Sequence, residues 1–187
     1  MKRPYKLIAT FTAVVTIVVS SFYFTDAIAD SETVGRLVDS LGYIAVLVTA
    51  FIANINVFVP VPPGIFAPIF LAAGLELVFI ILFITIGTLI ADLVGYLIGF
   101  LSRDAVKNTY PHIHARVHEI ATTRQHLLIP GIIFYSAFVP FPNEAIVIPL
   151  GMLNYPVRKL LIPMMIGSSI HHTIIVLGAV NAQTLLF

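Results

Sequence analysis

Two acids, an amide and a histidine stand inside sequence that is otherwise apolar. Asp92 lies sixteen residues into the run Leu77–Leu101, Asn143-Glu144 follows a proline-rich break, and His172 sits within Leu160–Val180. A carboxyl in hydrocarbon is costly and is usually retained to bind a proton, a cation or an ammonium group. Glu144 could do any of these, or Asn143 and Glu144 could simply cap the helix that starts there. Asp92 shares a helical stripe with Thr88, Gly95 and Tyr96, where another helix can approach closely. It could titrate or only hydrogen-bond to backbone.

His171 and His172 are adjacent and point about 100° apart on a helix, so they cannot face one ligand. A proton-linked Asp92–His172 pair is one expectation, and a neutral buried histidine is the other. The remaining histidines, at 112, 114, 118 and 126, have no Cys and few acids nearby. A metal site needs three or four ligands, so neither metal nor cofactor is expected. Arg158 and Lys159 are expected to anchor a helix at the headgroups, with phosphate contact a lesser role.

The elements that carry these residues follow from composition. Of 187 residues, 59% are hydrophobic and 10% charged, with mean hydropathy +1.02. Soluble domains carry about 25% charge, so an integral membrane protein is expected. Net charge is +1, which gives no footing for nucleic acid, and there is no Cys. Lys2, Arg3 and Lys6 precede the 18-residue run Leu7–Phe24, and Ala27-Ile28-Ala29 has the form of a signal-peptidase site. A run that long fits an uncleaved first transmembrane helix, 1–25, better than a signal peptide of about 7–15 apolar residues. Residues 26–187 then form one membrane domain.

Within it, FVPVPPG at 58–64 and FVPFPNE at 138–144 repeat at an offset of 80 residues. Pro60, Pro62, Pro63 and Gly64, like Pro140 and Pro142, must stop a helix. The flanking arms rise only about 16–25 Å, short of a hydrocarbon core of about 30 Å. Two re-entrant hairpins are therefore expected, at 43–75 and 127–157, each followed by a span, at 77–101 and 160–180. A polar, partly amphipathic segment, 102–126, is expected on the cytoplasmic surface. Ile86-Gly87-Thr88 and Ile166-Gly167-Ser168 share the 80-residue offset, as do Asp92 and His172. Nine of ten Lys and Arg fall in 1–6, 102–126 and 158–159. The positive-inside rule makes those segments and the N-terminus cytoplasmic, so the two hairpins enter from opposite sides. The expected fold class is an all-α polytopic membrane protein built as an inverted repeat, with its site where the broken helices meet.

FVPVPPGIFAPIFLAAG, IADLVGYLIGF and FVPFPNEAIVIPLGML together resemble the DedA family, also called VTT-domain or SNARE-associated Golgi proteins. The resemblance covers roughly 43–180, and Asp92-x-x-Gly95-Tyr96-x-Ile98-Gly99 is close to the family pattern G-D-x-x-x-Y-x-x-G, with Ala91 in place of Gly. It implies two facing hairpins, residence in a prokaryotic cell membrane, and translocation of phospholipid or polyprenyl phosphate. Gly64 stands where many bacterial members have Glu. The family's R-F-x-P-x-x-R reads Ala137-Phe138-Val139-Pro140-Phe141-Pro142-Asn143, without either phosphate-binding arginine. A lipid translocase is the leading expectation, with or without proton coupling, and not an enzyme. A solute or cation transporter and a non-transporting scaffold are the alternatives. Membrane lipids and a second copy of the chain are the expected partners.

Overall fold

The computed structural model describes residues 36, 38, 40–55, 62–109, 115, 125–139 and 141–186. The expected first span 1–25, Pro60, Pro140 and most of the polar segment lie outside these residues, as do His112, His114 and His118. Helix α1 spans Tyr43–Ile55. A 3-10 turn, Pro63–Phe66, leads into α2, Ala67–Ala72, and then α3, Leu77–Thr109. The same order follows with α4 at Gln125–Phe138, α5 at Glu144–Met152 and α6 at Val157–Leu186. All regular structure among the described residues is helical.

Two stretches, Leu77–Asp104 and Val157–Asn181, are long and apolar enough to cross a bilayer. Their amphipathicity is inside-out. Val78, Leu82, Ile86, Ile90, Leu97 and Leu101 face outward on α3, whereas Thr85, Thr88 and Asp92 are buried. On α6, Ile162, Ile166, Ile170 and Ile174 are exposed while Ser168 and His172 are buried. Such faces match a hydrocarbon surround with polar groups gathered inside.

The first arm doubles back. The Tyr43 ring packs on Phe79 and Phe83 at 5.4 and 5.2 Å, and its hydroxyl accepts from the Glu76 amide at 3.1 Å. At the other end of α1, Asn54 reaches Thr88. Helices α1 and α3 thus run side by side in the same sense, so the chain must return between the end of one and the start of the other. Glycines set the close crossings. A Cβ at Gly87 would stand 2.5 Å from the Leu47 carbonyl oxygen, and one at Gly167 would stand 2.6 Å from that of Ile133. These are the two glycines of the repeated Ile-Gly-Thr/Ser.

The returning arms pack elsewhere. Helix α5 lies along α3, with Ile148 against Gly99 and Gly151 against Tyr96; the 63–72 arm lies on α6, with Gly64 against Ile175 and Val176. Each long helix thus holds the outgoing arm that precedes it and the returning arm of the other half. The long helices are antiparallel: Ile80 and Ile84 share a buried cluster with Val176, and Tyr96 shares another with Leu160 and Met164.

The joints match at the 80-residue offset. The Leu75 amide bonds to the Phe70 carbonyl and the Tyr155 amide to that of Leu150, both at 3.0 Å. Gly74 (φ 85°) and Asn154 (φ 53°) take the left-handed conformation that closes each helix. At the breaks, the Ile65 amide bonds to the Pro62 carbonyl at 3.1 Å and the Ala145 amide to that of Pro142 at 3.2 Å.

Three boundaries differ from expectation, one being the end of the last helix, at Leu186 and not 180. The helix expected to end at 101 continues to Thr109. Ser102 Oγ bonds back to the carbonyls of Ile98 and Gly99, and Arg103 lies 4.6 Å over the Phe100 ring, so the turn beyond the apolar run satisfies itself. The last helix begins at Val157 and not 160, straight after Pro156, so Arg158 and Lys159 are exposed in its first turn.

Candidate functional site: the buried polar centre

Asn143 sits at the end of the second break with helical backbone angles (φ −60°, ψ −23°), and its side chain makes no cap bond. Its carbonyl already accepts from the amides of Ile146 and Val147. The Asn143 amide group instead donates to Asp92 Oδ2 at 3.1 Å. The capping alternative for Asn143 is not what the structure holds: its oxygen accepts no backbone N–H of the helix start, and its NH2 donates instead to the buried carboxyl of the neighbouring helix, a charge-assisted bond when that carboxyl is ionised.

Glu144 opens α5 and is half-buried. Gly95 on α3 makes its room, since a Cβ at that position would meet Val147 at 2.8 Å and Glu144 Cγ at 3.8 Å. Tyr135 on α4 donates its hydroxyl to the Pro142 carbonyl at 3.1 Å, tying the outgoing arm to the tip. Two carboxyls, one amide and one phenol therefore gather at the second break, with Asp92 only 2% exposed.

A second polar group lies beside the first half. Asn54 donates to Thr88 Oγ1 at 3.0 Å and to the Ala50 carbonyl at 2.7 Å. Thr88 Oγ1 lies 3.0 Å from His172 Nε2. His172 is 3% exposed, and its Nδ1 has no partner. His171 turns away to the Ala137 carbonyl, 3.2 Å from its Nδ1, as adjacent helical positions require. Asp92 and His172 are not bonded to each other; Asn143 and Thr88 take their places as partners.

Of the expected site residues, the fold joins Asp92, Asn143 and Glu144, and places His172 in the neighbouring cluster. Pro62, Pro63 and Gly64 form the start of the first returning arm, and Pro142 precedes the second. Arg158 and Lys159 are exposed at the other end of α6 from Val176, remote from the Gly64 turn. Among the described residues no three His, Asp or Glu converge as a metal set. Asn54 and Tyr135 were missed by the sequence reading. Asn54 was visible as the one amide interrupting Tyr43–Ile55; Tyr135 carried no signal apart from its place seven residues before Pro142.

The fold and site define an all-helical protein whose two long apolar helices, each able to cross a membrane, enclose a buried polar centre. The chain matches no protein-family model, no curated protein and no solved structure.

Proposed function

We propose that this chain is a membrane lipid translocase and a divergent member of the DedA family. The observation that carries this reading is the meeting of Asp92, Asn143 and Glu144 beside a broken helix, inside a bundle with apolar outer faces. In hydrocarbon, a helix break persists only where protein or a wet cavity receives its free backbone groups. The two halves act as an inverted repeat of re-entrant hairpins. The matched turns at an 80-residue offset, the doubling back at Tyr43–Glu76 and the antiparallel long helices all support that architecture.

In such a frame the second break forms a polar seam open toward lipid on one side. A headgroup passes along it while the tails stay in the bilayer. No Lys or Arg occurs in 37–102 or 125–157. The seam therefore offers acids and no cation for a phosphate, which favours a phospholipid with an ammonium headgroup over polyprenyl phosphate. Glu144 receives the ammonium and Asp92, held by Asn143, completes the seam. Arg103, Arg158 and Lys159 fall at one end of the long helices, and the positive-inside rule makes that end cytoplasmic. The resemblance to the DedA family, and not the charge pattern, is the reason for proposing a prokaryotic cell membrane.

Reconstituted vesicles with labelled lipid test this. Movement of phosphatidylethanolamine by the wild type, lost in Glu144→Gln, is the expected result. If neither this lipid nor polyprenyl phosphate moves, the translocase reading fails and cation uptake by the same acids becomes the next measurement.

A further inference from the structure

Thr88 fixes the state of His172. Its hydroxyl has one proton to give and two lone pairs to fill. The proton goes to the Ile84 carbonyl at 3.0 Å. Asn54 fills one lone pair, and the remaining one faces His172 Nε2 at 3.0 Å. A filled lone pair needs a donor, so Nε2 carries the hydrogen. The opposite tautomer would bury an N–H at Nδ1 without an acceptor, the more costly of the two arrangements. Nδ1 is thus a bare lone pair, unpartnered, on a residue 3% exposed.

An imidazole held in this way by three helices presents one free basic atom at the centre of the fold. We propose that His172 Nδ1 is a proton-binding site that couples the lipid movement proposed above to protons. The step is a single transfer. A proton from hydronium joins Nδ1, leaving water behind and turning the imidazole into imidazolium. No other bond changes, and an Asp92 carboxylate balances the new charge, so the imidazolium is not an uncompensated buried ion. Asp92 is suited to this because it follows Thr88 by four residues on α3, one turn and about 5–6 Å along the same face.

The other titratable groups on the elements packed around His172 are few. His171 is edge-on, with ring centroids 5.5 Å apart, and is engaged with Ala137. Tyr96 lies further along α3 and bonds to the Tyr155 carbonyl. Tyr135 on α4 serves the second break, and Tyr43 is at the far end of α1. Residues 63–72 contain none. Glu144 on α5 lies beside Gly95, nearly two turns of α3 beyond Thr88, so Asp92, one turn beyond Thr88, is the nearer acid along that helix to balance the charge.

Nitrogen-15 NMR of histidine-labelled full chain in lipid vesicles tests the assignment, with the His172→Gln spectrum to identify the signal. The expected result is a neutral Nε2–H form of His172 that converts to imidazolium on acidification while the protein stays folded. Thr88→Val should lose the tautomer preference, and Thr88→Ser should keep it. A neutral Nδ1–H form, or a His172 that stays neutral until unfolding, overturns the proposal. Should His172→Gln fail to fold, the Thr88 pair still decides the tautomer. These readouts need no lipid movement, so the proton site and the translocase reading can fail separately. With movement established, a rate that ignores an imposed pH gradient also overturns the coupling.

Discussion

Asp92 and His172 occupy corresponding points of α3 and α6, 80 residues apart, yet they reach the broken arms by different routes. Asp92 bonds directly to Asn143, at the start of a returning arm. His172 reaches Asn54, near the end of an outgoing arm, only through Thr88. The volumes are exchanged as well. Gly95 leaves space for Glu144, whereas at the corresponding pair Ile175 fills the space left by Gly64. Under the proposed repeat, one backbone frame carries opposite contents: two carboxyls at the break of one half, an aliphatic plug with an inward histidine in the other. The difference teaches that the matched helices and turns set depth, while side-chain size decides which half can admit a polar group.

The sharpest way to break the comparison is at its glycines. Gly99 faces the backbone carbonyl of Ile148, which cannot step aside, whereas Gly178, one position from its counterpart, has nothing within 4 Å of its missing Cβ. Overpacking of this kind costs about 1–3 kcal/mol and more when backbone must shift, so Gly99→Ala should lower the melting temperature in detergent by several degrees or prevent assembly. Gly178→Ala should change stability by under about 0.5 kcal/mol. Equal effects would mean that α5 does not lie along α3.

How far the residues announced this arrangement can be judged at particular places. The breaks and the 80-residue offset were legible because proline acts locally, through a missing N–H and a fixed φ. The Ile-Gly-Thr/Ser match was legible as part of the offset, but that Gly87 and Gly167 are the points of closest helix crossing was not. Which arm docks on which long helix was not: apolar arms of about ten residues carry no address, and partner choice resides in tertiary contacts such as Gly99–Ile148. The same holds for Asn143, whose place at a helix start reads as a cap from sequence alone. Only the neighbouring Asp92 draws the side chain away.

Next in size is the Asp92–Asn143 bond. Asp92→Ala would leave the Asn143 amide group without its acceptor, at a cost of about 1–2 kcal/mol for a polar contact between membrane helices. Asp92→Asn keeps an acceptor at that site, so thermal unfolding should show at least half of the loss restored. Lipid movement in the same Asp92→Asn variant then separates structure from chemistry. A stable protein that no longer moves lipid assigns the carboxyl to transport, and a stable protein that still does reduces Asp92 to a support for Asn143.

The smallest effect belongs to the paired turns. Gly74 and Asn154 close α2 and α5 with the same hydrogen bonds, but Gly74 has φ 85° and Asn154 has φ 53°. A Cβ at Gly74 would touch nothing, so any cost of Gly74→Ala arises from the left-handed backbone alone, about 1 kcal/mol. Asn is the residue other than Gly that enters this region most readily, through its short polar side chain. Gly74→Asn should therefore lose less than Gly74→Ala, and Asn154→Gly should shift stability by only a few tenths of a kcal/mol, its backbone tolerance set against extra freedom in the unfolded chain. If Gly74→Asn proves as costly as Gly74→Ala, the two turns share hydrogen bonds but not a common tolerance, and the correspondence between the halves stops at the helices.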